Sequence, residues 1–270
     1  MSFVFTVKTP VRVPPAAMLE LLGGADLRAH VDGDRVFVHR ELVSTRSIGI
    51  VRDEAGYDVR VNVLSSSEDW ELARRAVEAL HELTEGELSS ELADSFARGE
   101  LRALHDDELV AQQNESGTRG LFALMRHRDE PGSVSIPGVV RSLEVGPRLA
   151  SALDHLEDHA RAARLVAILH RLQWVEEREG CRAANVLLVS REGSEKRKLV
   201  VWPLGEKVFL PASEQVAVID DATRTPFVFP RAALVELAPE IEILDEEQAI
   251  VEPVRDPAPV IARARELATT

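Results

Sequence analysis

Few side chains in this chain are placed to do chemistry, and their spacing limits what each could do. His155 and His159 stand four apart in DHLEDHA, so on a continuous helix both imidazoles would face one way, with Glu157 and Asp158 beside them. That spacing can hold a divalent metal. The glutamate that directly follows the first histidine in a zinc-protease helix is missing, however, and no third ligand is identifiable. His155 and His159 are carried forward as metal candidates against the simpler reading of an exposed polar helix face, and no cofactor is expected. His105, Asp106, Asp107 and Glu108 form an acidic knot, but it lacks the alternating acids, turn glycine and distal glutamate of a calcium loop.

The sequence holds no nucleophile elbow, paired CxxC, Walker loop or dinucleotide fingerprint, and Gly117-Thr118-Arg119-Gly120 has too few glycines to cradle a pyrophosphate. Cys181 is the sole cysteine, which rules out an intrachain disulfide and fits a reducing compartment. Its thiol reads as packing.

Charge is the other chemical signal. The formal net charge is −14, which opposes approach to a phosphate backbone, so no nucleic-acid partner is expected. From Glu236 to Glu252 there are seven acids and no Lys or Arg, interleaved with Ile241, Ile243, Leu244, Ile250 and Val251. Glu242, Asp245, Glu246 and Glu247 are the partner-binding candidates in that stretch, which reads as folding back as strand or helix. Lys196–Lys198 reads as a solvated hairpin tip. No apolar stretch approaches the roughly 18 residues of a membrane span. MSFVFTVKTP reads as a strand rather than a signal peptide, so no membrane partner and a cytoplasmic location are expected.

The elements that must position these groups are clearer. Ile48 and Ile50, then Tyr57, Val59, Val61 and Val63, alternate with polar neighbours around DEAG, the pattern of a hairpin with one buried face. Ser65–Ser67 followed by Glu68 and Asp69 form a helix start, and Trp70, Ala73, Ala76, Val77, Leu80 and Leu83 make one apolar stripe. FVFTV and RVFVH read as strands, and Pro14-Pro15 opens a short helix closed by Gly23-Gly24. Ser89–Leu104 shows helical spacing, and HDDELVAQQNESGTRG a mostly polar surface that includes the sequon Asn114-Glu115-Ser116.

Turn-formers in HRDEPGSVSIPG place a boundary there. The expected organisation is an N-terminal unit at 1–132, a C-terminal unit at 133–252 and a tail at 253–270 open to a helix. VVRSLEV reads as a strand, and the segment from Leu149 to Leu169 as one long helix or two joined ones. VLLV, KLVVWPL, KVFLP, QVAVID and PFVF read as a meandering antiparallel sheet, with Pro230 opening a further helix. The fold class is α+β, two packed subdomains, each a mainly antiparallel sheet covered by helices. Trp70 and Trp202 read as core anchors. Trp174 is left open between packing and capping a cleft between the halves.

SIGIVRDEAGYDVRVNVLSSSEDWELARRAVEAL resembles a bacterial domain-of-unknown-function family with a strand-turn-strand, an S-x-x-D-W start and an alanine-rich helix. Ser66 and Asp69-Trp70 match that pattern, whereas Arg60-Val61-Asn62-Val63 replaces its threonine-ending strand. Arg141-Ser142-Leu143-Glu144-Val145-Gly146-Pro147-Arg148 is similar to the family's run into its long helix. The resemblance implies a bacterial, cytosolic, non-secreted protein and assigns no catalytic or binding residue.

These features favour a non-catalytic protein that binds a basic protein partner through an acidic surface. An immunity or inhibitor protein masking a basic toxin is one form of that reading. The alternatives are an enzyme or small-ligand binder using Arg141, Arg148, His170 and Trp174 in an inter-subdomain cleft, and a structural subunit of an assembly, marked by an exposed apolar patch or a stable homo-oligomer. The oligomeric state is left open by the sequence.

Overall fold

Alternation in FVFTV and YDVRVN places Phe3, Phe5 and Val7, then Tyr57, Val59 and Val61, on the same face of neighbouring antiparallel strands, and the first core is built there. The computed structural model describes residues 2–101, 107–126, 132–190 and 196–268. His105 and Asp106 of the acidic knot lie outside the described residues. Two units divide the chain, Met1–Gln173 and Trp174–Thr270. The boundary expected near residue 132 falls inside the first.

The first unit opens with β1 (Ser2–Lys8), α1 (Pro15–Leu22), β2 (Leu27–Asp32), β3 (Arg35–Arg40), β4 (Ile48–Arg52), β5 (Gly56–Asn62), α2 (Ser67–Thr84) and β6 (Glu87–Ser90). The strands form one antiparallel sheet in the order β2-β3-β4-β5-β1-β6. Helix α2 crosses its inner face, where Trp70, Ala73, Ala76, Val77 and Leu80 are buried with the strand residues. Gly56 is required by close approach, since a Cβ there would lie 2.1 Å from the Val7 carbonyl oxygen. The helix expected from Ser89 is not formed over its first residues. Ser89 and Ser90 pair with β1 opposite Thr6 and Phe5, and a short 3-10 turn follows at Arg98–Glu100 within the described residues.

The polar stretch read as surface is a 20-residue helix, α3 (Asp107–Arg126), followed by β7 (Val134–Ile136) paired with β8 (Leu143–Val145), α4 (Pro147–Leu153) and α5 (Asp158–Gln173). α3 packs against α5. The candidate long helix is two helices, broken at residues 154–157. Arg161 fixes the break. Its guanidinium donates to the carbonyls of Leu153, Asp154 and Leu156 at 2.9 to 3.2 Å and lies 4.8 Å from the Phe122 ring centre.

The second unit contains α6 (Val175–Glu179), β9 (Arg182–Ala183), β10 (Val186–Val189), β11 (Arg197–Val201), β12 (Val208–Leu210), β13 (Gln215–Asp220) and β14 (Thr225–Pro230). It continues with α7 (Leu234–Leu237), β15 (Ile241–Ile243), β16 (Ala249–Val251) and α8 (Pro257–Leu267). The expected single meander is two four-stranded sheets, β10-β11-β13-β14 and β15-β16-β12-β9, each with one parallel pairing, β11 with β13 and β12 with β9. The segment expected as a tail carries a helix within the described residues. Asp256 caps α8, and Val260 and Ala264 enter the core beside Trp202, Val216 and Phe229. The class is α+β, as expected. Among the described residues no helix is long and apolar enough to cross a membrane.

Candidate functional site

Several side chains of the first unit converge around the start of α2. Ser66 is its N-cap, and the Asp69 carboxylate, fully buried, turns back to accept the Ser66 N–H at 3.0 Å. The same oxygen accepts the Thr45 and Arg46 N–H groups, both at 3.1 Å, and the Thr45 hydroxyl. Burial drives the Asp69 carboxyl above its ordinary value, and the donors from Thr45, Ser44, Arg46 and Ser66 work against that rise. Arg46 is lowered to about 10 by burial, with Asp69 opposing. This cluster welds the 44–46 loop to the helix.

Asn114 on α3 adds a second joint. Its side-chain oxygen accepts the Leu64 N–H at 2.8 Å and its amide donates to the Ser65 carbonyl at 2.9 Å, so it stands in for a strand neighbour to a bend where Leu64 has φ +61°. Being 7% exposed and bonded on both sides, Asn114 is not displayed as a sequon. Gly117, one turn on, lets α3 approach Val63: a Cβ would lie 2.7 Å from the Val63 Cβ.

These joints hold open a groove of about 480 Å³ between the α2 start, α3 and α5. Its α5 side is small and apolar, Ala162, Ala163, Val166 and Ala167, with His159 at one end and His170 at the other. The spacing 159, 162, 163, 166, 167, 170 is one face of a 3.6-residue helix. Val110 and Ala111 of α3 continue the apolar surface. Glu68 and Asp107 put carboxylates on the rim, and the buried Ser65 hydroxyl, which has no hydrogen-bond partner among the described residues, lies in the wall. Burial raises the Glu68 carboxyl, yet its own backbone N–H, the Ser66 and Ser67 hydroxyls and the charge of His170 hold it below 4.5. The groove thus offers apolar contact rimmed by an ionised carboxylate.

The structure separates several residues that the sequence grouped. His155 lies in the break before α5 and His159 in the first turn of α5, so they do not share a helix face, and His159 has Glu157 for a neighbour at 3.5 Å. Among the described residues no group of three His, Cys, Asp or Glu is placed to hold a metal.

The acidic stretch is a hairpin, β15 to β16. Asp245 is 1% exposed and accepts the Glu247 and Gln248 N–H groups at 2.8 and 2.7 Å and the Gln248 amide, so it builds the turn rather than a partner surface. Glu242 and Glu247 are exposed and Glu246 is half-buried.

Arg141 and Gln173 clamp each other. The Gln173 oxygen accepts the Arg141 N–H at 3.0 Å, its amide donates to the Arg141 carbonyl at 2.9 Å, and the Arg141 guanidinium donates to the Leu172 and Gln173 carbonyls. Arg148 is exposed on α4, and Trp174 is 5% exposed in the second unit. Of the four cleft candidates, only His170 lines the groove. Trp70 and Trp202 are buried. Cys181 is buried with its thiol against the Val175 carbonyl, and burial pushes it up, away from a reactive thiolate.

Glu68, Asp107 and Ser65 were not singled out by sequence as groove residues. The signal for the site was the small-residue face of α5, Ala162, Ala163 and Ala167. No family model, no curated protein and no solved structure matches this chain.

Proposed function

We propose that this protein is a non-catalytic binding protein, and that the groove of the first unit takes a basic, amphipathic segment of a partner protein. The observation that carries this reading is the pairing of a small-residue apolar floor on α5 with the rim carboxylates Glu68 and Asp107. An apolar helix face with Lys or Arg at its margins would bury its stripe on Ala162, Ala163 and Val166 and set its charges against the rim. The net charge of −14 would speed its arrival. Masking of a basic toxin is one biological form of this reading.

The test is partner capture from extracts of the native host, with the wild type and the Glu68→Gln/Asp107→Asn double variant compared at low and moderate salt. The reading expects a captured protein that crosslinks to α5 and is lost in the variant. No captured protein at either salt, or capture indifferent to the variant, contradicts it.

A second reading, small-ligand binding, is favoured by the buried Ser65 hydroxyl, which has no hydrogen-bond partner among the described residues, and by a volume within the roughly 300–1,000 Å³ usual for such sites. Native mass spectrometry of the purified chain separates the two. A bound small molecule lost on Ser65→Ala supports the second.

A further inference from the structure

Sheet edges attract other chains unless they are blunted by charge, proline or shortness. Among the described residues, five of the six edge strands of the three larger sheets are blunted. β2 carries Arg28, His30 and Asp32, β6 begins with Glu87, β9 has Arg182, β14 has Pro226 and Pro230, and β15 has Glu242. The sixth, β10, reads Val186-Leu187-Leu188-Val189 with neither charge nor proline. Val186, Leu187 and Leu188 are 44%, 47% and 67% exposed, so apolar side chains face solvent on both sides of the sheet.

The backbone pattern fixes what can pair there. The Val201 N–H donates to the Asn185 carbonyl at 3.0 Å, and Val186 and Leu187 stand opposite Val200 and Leu199. Bonding alternates along an antiparallel strand, so residues 185, 187 and 189 turn their backbone groups toward β11, and Val186 and Leu188 turn theirs outward.

We propose that a second copy of this chain adds antiparallel to β10 about a two-fold axis through Leu187. A two-fold axis normal to the sheet keeps each side chain on its own face, so residues of equal parity must pair. Centring on Leu187 sets Val186 against Leu188 of the second copy at both ends, and the four outward-facing N–H and C=O pairs satisfy one another. Leu187 meets Leu187 on one face, and Val186 and Leu188 meet on the other.

The charges also suit this arrangement. Lys196, Arg197 and Lys198 sit at the Val189 end, and the two-fold axis sends the two basic tips to opposite ends of the joined strands, about 13 Å or more apart, beyond the roughly 8 Å screening length of physiological salt. The strand carries no charge that would oppose its own edge. Because each copy carries −14, added salt should tighten the dimer rather than loosen it.

Sedimentation velocity of the full chain over a concentration series tests this. The expected result is a monomer–dimer equilibrium that strengthens with salt. Leu187→Lys and Leu187→Glu should each weaken it at least tenfold with unchanged circular dichroism, and an equimolar mixture of the two should dimerise again because position 187 faces itself. A wild type monomeric throughout overturns the proposal. So does a dimer indifferent to either substitution, or a mixture that stays monomeric although each variant is folded.

Discussion

Ser66 and Asp69 bond each other twice: the Asp69 N–H donates to the Ser66 hydroxyl at 3.3 Å, and the Ser66 N–H donates to the Asp69 carboxylate at 3.0 Å. An isolated capping box adds about 1 kcal/mol. Here the acid also holds the Thr45 and Arg46 N–H groups, so its loss strands two backbone donors in or near the interior, while the Ser66 N–H keeps the Thr45 hydroxyl as acceptor. Asp69→Ala should cost about 3 kcal/mol or more, measured by urea denaturation, and Ser66→Ala about 1 kcal/mol.

The same carboxyl predicts a sign for pH dependence. Burial raises its folded value above 3.8, so the folded state holds the proton more tightly than the unfolded chain. Its contribution is fullest below 3.8 and is lost as pH rises through the folded value. Asp69→Asn, which cannot titrate, should gain stability relative to the wild type across that window. Paired denaturation curves at stepped pH check it, and a gap that narrows in the opposite direction refutes it.

Glu68 runs the other way. Its folded value is lowered, so its contribution is present above 4.5 and is lost as pH falls through the lowered value. The melting temperatures of wild type and Glu68→Gln should converge on acidification. Parallel melting curves would remove Glu68 from the account.

Gly117 and Val63 should be coupled. Gly117→Ala gains about 1 kcal/mol of helix propensity but forces a Cβ to 2.7 Å from the Val63 Cβ, and overpacking costs about 1–3 kcal/mol. The net effect should be destabilising in the wild-type background and stabilising in Val63→Gly, which removes the facing Cβ along with its methyls. A double-mutant cycle with no coupling would show that the helix shifts freely.

Much of the first sheet and α2 was legible because their faces follow a single period. Phe3, Phe5 and Val7 alternate cleanly, and Trp70 to Leu80 keep helical spacing on a capped start. α3 was hidden because its buried face includes Asn114, Gly117 and Thr118, whose roles are hydrogen bonding and close approach rather than hydrophobicity. Periodicity left one long helix or two joined ones open before α5, because the carbonyls that Arg161 gathers at the break are the same in every residue. Asp245 looked like surface charge, yet its carboxylate serves its own turn. The groove belongs to none of its segments alone, which is why only His170 among its polar residues was anticipated as part of a binding cleft.

The two sheets of the second unit are threaded through each other in chain order: β9 joins one, β10 and β11 the other, β12 returns to the first, β13 and β14 to the second, and β15 and β16 close the first. Both parallel pairings bridge these excursions, and β16, the strand that ties β12 to β15, comes late. A ribosome-bound chain stalled before residue 249 therefore carries a second unit with one sheet lacking its central strand. The first unit has no such dependence. During synthesis the groove would be finished while the apolar β10 edge still hung from an incomplete fold. Limited proteolysis of stalled chains should find residues 2–101 protected and 186–189 cut.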